Sequence, residues 1–182
     1  MIELNEGEVS IINHEHFQRL RNIRQLALTT KVYPGATHTR FEHSLGVMHL
    51  ADRVMERLFK RPHIKNKFRR DEYVRLRQLI RLTGLLHDVG HAPFSHGSEE
   101  LFPAGLKHED YTCAIIQKFF APIIKDCFKD IEVEEIITLL KKGFLGSDLL
   151  FLGNIIDGEM DADKLDYLLR DSSYCGVHYY FI

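Results

Sequence analysis

Between Leu82 and His96 the chain passes directly from an apolar turn, Leu82-Thr-Gly-Leu-Leu86, into His87-Asp-Val-Gly-His-Ala-Pro-Phe-Ser-His96. Leu76, Ile80, Thr83 and His87 fall on one face at helical spacing, so a face that must find a core carries an imidazole at its end. Buried ionisable groups are costly unless they are paired or hold a metal. Any fold that accepts this segment has to bring polar partners to His87, Asp88, His91 and His96. Asp88 lies about 100° round the helix from His87. Gly90 signals the helix end, and in a loosening last turn the two side chains can converge.

The remainder reads as helix after helix, which predicts an all-α bundle. Phe17, Leu20 and Leu28 recur at helical spacing and predict a first helix from about His14 to Leu28. Tyr33-Pro-Gly-Ala-Thr-His38 is a turn by composition. Val47, Leu50, Val54 and Leu58 form the next stripe, and His43 precedes Val47 by one turn on the same inward side. Asp71 is a candidate N-cap for the helix leading to His87. Further helices are predicted from His108 to Pro122, from Glu132 to Leu140 with Gly143 as stop, from Leu149 to Ile156, and from Asp161 to Asp171. In the last, Leu165, Leu168 and Leu169 form a packing face, and Asp163, Tyr167 and Asp171 form a polar one, which plain solvation explains as well as a site does. Residues 1–12 alternate weakly around Asn5-Glu-Gly7, predicting a small β-hairpin or arm.

Composition narrows the class. The chain has 182 residues, 45% hydrophobic and 27% charged, which predicts one soluble domain spanning 1–182. A formal charge of −2 gives no global attraction to nucleic acid or anionic membranes. Cys113, Cys127 and Cys175 have no paired spacing, which argues for a reducing, cytoplasmic setting. There is no apolar run long enough to span a membrane. Locally, Arg57 to Arg81 is strongly basic: a solvated face, or a rim for phosphate and weak nucleic-acid contact.

His43, the His87-Asp88 pair and Asp163 come from three predicted helices. Two imidazoles and two carboxylates suit Fe, Mn, Zn, Co or Ni better than Ca, which prefers an all-oxygen shell. A metal so held can polarise a phosphoryl oxygen and lower the pKa of a bound water.

Four segments then carry a resemblance: Arg40-Phe-Glu-His-Ser-Leu-Gly46, His87 to His96, Lys107-His-Glu109, and Asp161-Ala-Asp-Lys-Leu-Asp-Tyr-Leu-Leu-Arg-Asp171. In this order they resemble the motifs of the HD superfamily of metal-dependent phosphohydrolases. Within it they are most similar to the deoxynucleoside triphosphate triphosphohydrolases, and the match runs from about Phe17 to Asp171. The resemblance implies an HD-domain helical bundle with His43, His87, Asp88 and Asp163 as metal ligands and Mg accompanying the substrate phosphates. It implies His91, His96 and His108 around the α-phosphate, Arg40, Lys164 and Tyr167 on the phosphate tail, and Asp171 with Gln25 and Leu26 at the sugar. A tetra-anionic substrate needs such cationic donors. Imidazole titrates near working pH, so His96 suits a general acid, with Glu99 placed to orient it. Glu99 stands where relatives often have Asp.

The implied reaction is dNTP plus water to deoxynucleoside plus inorganic triphosphate, in a homo-oligomer. Arg21 matches a regulatory-site arginine of nucleotide-activated members, whereas Asn13 replaces their aspartate, which argues against that activation. Family members usually extend well past the position of Ile182, consistent with either a fragment or a minimal relative. The alternatives are an HD phosphohydrolase acting on a nucleoside monophosphate, cyclic nucleotide or RNA end, and a non-catalytic nucleotide-binding module.

Overall fold

The structure, a computed structural model, describes residues 1–103, 105–143 and 145–177, with the side chains of His96 and Asp148 outside the described set. It is helical throughout, and the described residues form no strand beyond an isolated bridge between Arg24 and Thr39. The described residues form ten α-helices in order: α1 (Glu6–Asn13), α2 (Glu15–Gln18), α3 (Arg40–Leu58), α4 (Pro62–Lys65), α5 (Arg70–Leu86), α6 (His108–Ile115), α7 (Ala121–Cys127), α8 (Val133–Leu140), α9 (Leu150–Asp157) and α10 (Ala162–Cys175).

Helix α3 is the axis. It packs most extensively on α5 and next on α10, while α8 and α9 close the far side of α5. Val47, Met48, Ala51 and Met55 of α3 and Leu76, Leu79, Ile80 and Leu86 of α5 are all buried. Each such side chain contributes roughly 1.5–3 kcal/mol on leaving water. The α5 stripe read from the sequence is buried as expected, whereas on α3 the buried face is shifted to Val47, Met48, Ala51 and Met55, with Leu50, Val54 and Leu58 only partly buried at its edge. Each inward face still ends in an imidazole, His43 near the start of α3 and His87 just past the end of α5.

The N-terminus is not a hairpin. Asn5 accepts the Glu8 amide at 2.9 Å, and the Asn5 amide donates to Glu8 Oε2 at 3.1 Å, a reciprocal cap that starts α1. Ile11 and Ile12 then bury one helical face. Glu8, itself fully buried, accepts Arg81 Nε at 2.6 Å, and Arg81 also donates to Asp52 at 2.9 Å, tying α1 to α5 and α3. The predicted helix over 14–28 breaks up: α2 tightens into a 3₁₀ turn, Arg19–Asn22, and the chain is extended at Ile23. Arg19, at the start of that turn, reaches out with its guanidinium to the carbonyls of Val89 and His91.

Arg69, not Asp71, occupies the N-cap position of α5, and Asp71 sits in the first turn, where its charge favours the helix dipole. The helix predicted from His108 to Pro122 is interrupted by a π turn at Ile116–Phe120. In α10 the inward residues are Ala162 and Asp166, while Leu169 is half exposed, so the leucine face does not form the buried side of this helix.

Candidate metal centre

Thr39 and Asp161 start the two helices that supply one donor each. The Thr39 amide donates to Glu42 at 3.0 Å at the head of α3, and Asp161 accepts the Lys164 amide at 2.7 Å at the head of α10. These caps put His43 and Asp163 in the first turns of helices that pack on each other. The third contribution comes from the end of α5, where α6 presses close. Gly90 donates its amide to Thr112 Oγ1 at 2.9 Å, and a Cβ at Gly90 would lie 2.4 Å from the His108 carbonyl. Only glycine permits that approach, which lays the His108 ring on the His91 ring with centroids 3.8 Å apart.

The four expected metal ligands meet. His43 Nε2 is 2.9 Å from Asp163 Oδ1 and 3.7 Å from Asp88 Oδ2, while His87 Nε2 is 3.4 Å from Asp88 Oδ1 and 3.8 Å from Asp163 Oδ1. Ligand atoms of His43, His87 and Asp88 all lie within 4.8 Å of one another. Both Nε2 atoms are buried and neither makes an aligned hydrogen bond among the described residues. The other ring nitrogens are occupied: His87 Nδ1 faces the Gly84 carbonyl at 2.8 Å, and His43 Nδ1 faces Asp166 Oδ2 at 2.8 Å. A carbonyl only accepts, so His87 Nδ1 carries the proton and its Nε2 lone pair points into the cluster. An inward lone pair on His87, a second imidazole Nε2 on His43 that can give up its proton, and two carboxylates fit a divalent transition ion.

The electrostatics agree with that donor set. Burial alone would lower the pKa of His43, but the carboxylates of Asp163, Asp166 and Asp88 overcome it and raise the value to about 9. Asp88 is buried, which would raise its pKa, yet His87, Arg40 and His91 hold it well below the ordinary range. Asp163 is lowered in the same way, against its burial, by His43 and His87. His91 goes the other way: burial drops it to about 4 despite Asp88 Oδ1 at 3.3 Å.

The other expected site residues divide. His108 Nδ1 lies 2.6 Å from Glu99 Oε1, so Glu99 orients His108; the expected pairing of Glu99 with His96 involves a side chain outside the described residues. Arg40 pairs with Asp88 and donates to Ser95 Oγ at 2.8 Å. The Gln25 carbonyl accepts from that hydroxyl at 3.4 Å, which places the Gln25-Leu26 segment beside the cluster. Asp171 Oδ1 is 2.7 Å from His38 Nε2. Lys164 is turned back on its own helix start, its ammonium on Asp161 Oδ2 at 2.5 Å and the Gly158 carbonyl at 2.8 Å. Tyr167 is half buried and makes no side-chain hydrogen bond among the described residues. In the basic stretch, Arg75, Arg77 and Arg81 are bound to Glu135, Asp52 and Glu8, so the rim is less cationic than its sequence suggests.

Asp166, Arg19 and His38 were not among the expected site residues. Asp166 lies one turn after Asp163 on the same side of α10, a spacing that signals it once Asp163 is placed inward.

A helical bundle that gathers two imidazoles and two carboxylates from three segments can hold a divalent metal there. The chain belongs to the HD domain family, whose model matches residues 40–171. It is 42% identical, over 98% of its length, to an uncharacterized protein of Methanocaldococcus jannaschii, covering 33% of that protein. It is 33% identical over 96% of its length to a Dictyostelium discoideum homologue of the deoxynucleoside triphosphate triphosphohydrolase SAMHD1, covering 35% of it. Among solved structures, a phosphohydrolase from Bacteroides thetaiotaomicron superposes with a TM-score of 0.78 at 34% identity, covering 97% of this chain and 40% of that one. The chain thus spans about a third of the curated relatives it matches and under half of the solved neighbour.

Proposed function

We propose that this chain carries the catalytic centre of a deoxynucleoside triphosphate triphosphohydrolase, with His43, His87, Asp88 and Asp163 holding one Fe, Mn, Zn, Co or Ni ion. The observation that carries the reading is the convergence of two buried imidazole Nε2 atoms, from His43 and His87, on the carboxylates of Asp88 and Asp163. When bound, a metal there lowers the pKa of a water and polarises a phosphoryl oxygen.

The chain's own groups then divide the work. His91 and His108 line the α-phosphate, with Glu99 orienting His108 through Nδ1 so that Nε2 faces substrate. His96 donates a proton to the departing 5′ oxygen. Water adds its oxygen to the α-phosphorus and releases a proton to solvent, and the bond to the 5′ oxygen breaks as that oxygen takes the His96 proton. Triphosphate leaves intact beside a deoxynucleoside, and His96 regains a proton from solvent. Arg40, Lys164 and Tyr167 take the phosphate tail, and Gln25, Leu26 and Asp171 take the sugar. Arg40 and Lys164 exchange their present carboxylate partners for phosphate in that step, a swap between charge-assisted hydrogen bonds of one kind. Mg accompanies the phosphates, and the working assembly is a cytoplasmic homo-oligomer.

The test is product identification after supplying the metal-loaded protein with a mixture of the four deoxynucleoside triphosphates. Inorganic triphosphate and free deoxynucleoside are expected; orthophosphate alone would exclude the reading. A second reading, hydrolysis of a smaller phosphoester such as a nucleoside monophosphate, draws on one observation: Lys164 and Arg40 are already engaged by Asp161 and Asp88. Turnover of monophosphates or cyclic nucleotides without triphosphate release would favour it.

A further inference from the structure

We infer that Asp166 is a positioning residue of the metal centre, holding His43 in the tautomer and orientation that present Nε2 to the cation. The inference rests on the metal-site reading above and adds to it a residue outside the ligand set. Asp166 Oδ2 lies 2.8 Å from His43 Nδ1, and both side chains are almost wholly buried. A carboxylate whose two oxygens are both held by the Arg170 guanidinium accepts but does not donate, so the Nδ1 atom carries the proton. That leaves Nε2 as the only ring atom of His43 with a lone pair to give.

Three further features hold the carboxylate there. Arg170, one turn on in α10, grips it with both arms: Nε to Oδ2 at 2.8 Å and Nη2 to Oδ1 at 2.8 Å. This fork fixes the plane of the carboxylate as well as its charge. From the opposite helix, Gly46 supplies the space. A Cβ at Gly46 would fall 2.5 Å from Arg170 Nη2 and within bonding distance of Asp166 Oδ1. Lastly, Asp166 stands one helical turn from Asp163, so a single rigid element carries both a metal ligand and the residue that aims another. A negative acceptor behind a ligating imidazole raises its basicity, and loss of such a partner costs about 10–100-fold in metal affinity.

The experiment measures Co(II) and Zn(II) affinity of the folded full chain by competition with a chromophoric chelator, together with the Co(II) visible spectrum. Circular dichroism establishes that each metal-free variant is folded at the assay temperature. Asp166→Asn keeps the shape and the acceptor but loses the charge, and is expected to weaken binding about tenfold; Asp166→Ala is expected to approach 100-fold. Gly46→Ala, which retains Asp166 but displaces it, should weaken binding in the same range and alter the Co(II) spectrum. Wild-type affinity in a folded Asp166→Asn variant overturns the inference. If the unmodified chain binds neither metal, the metal-site reading itself fails, an outcome distinct from equal binding by wild type and variant. If Asp166→Ala and Gly46→Ala do not fold, Asp166→Asn alone decides.

Discussion

Metal binding to this site should be coupled to release of a proton from His43. In the metal-free protein the ring is surrounded by Asp163, Asp166 and Asp88, and its pKa stands at about 9 against an ordinary 6.5. That difference amounts to about 3 kcal/mol of preference for the charged ring, at 1.36 kcal/mol per pH unit. A cation needs the Nε2 lone pair, so it must displace the proton. At about pH 7, two units below the pKa, the apparent affinity should be about 100-fold weaker than its high-pH limit, improving about tenfold per unit until about pH 9. Isothermal titration of Zn(II) in buffers of different ionisation enthalpy counts the protons released, and chelator competition across the same range gives the slope. His43→Gln should abolish that coupling along with most of the affinity. An affinity that is flat from pH 7 to 9, with no proton released from the folded protein, would refute the reasoning.

Three further outcomes follow from the same geometry. Without metal, stability should peak near pH 6.5. Protonated His43 stabilises fully below that pH and loses its contribution as pH rises through about 9, whereas buried neutral His91 stabilises above it and loses its contribution as pH falls toward about 4. Urea titrations across pH should therefore show losses of order 3 kcal/mol on either side; a missing alkaline loss would contradict the His43 assignment and a missing acid loss the His91 assignment. Glu8→Ala strands Arg81 in a buried network and should cost about 3–5 kcal/mol by urea denaturation, whereas Asn5→Ala, which removes only a helix cap, should cost about 1 kcal/mol. Glu99→Ala should lower kcat about 100-fold or more by freeing the His108 ring, with metal content unchanged; a change in KM alone would place Glu99 in binding instead.

Much of this centre is legible in the chain because its donors obey local rules. His43 and His87 each continue an apolar stripe, so periodicity aims those two ligands inward, whereas it sets Asp163 on a polar face that solvation explains as well, and the resemblance is what singles out Asp163 as a ligand. Asp166 escaped because amphipathic reasoning on α10 weighs leucines as the packing face. In the fold a buried imidazole and an arginine outbid those leucines for the inward side, and Leu169 is left half exposed. The first helix was hidden for a different reason. Asn5-Glu-Gly7 has turn composition, and its reciprocal cap with Glu8 is visible only when Asn5 is read together with the residue three further on. The tie that Arg19 makes could not be foreseen, because its partners are carbonyls about seventy residues away.

The most direct test of the metal centre is elemental analysis of the chain after loading with each divalent transition ion and exhaustive dialysis. One ion per chain is expected, falling to none in the His43→Gln and Asp163→Asn variants while circular dichroism stays that of a helical bundle. A folded wild-type chain that retains no ion, or His43→Gln and Asp163→Asn variants that retain it undiminished, would contradict the account.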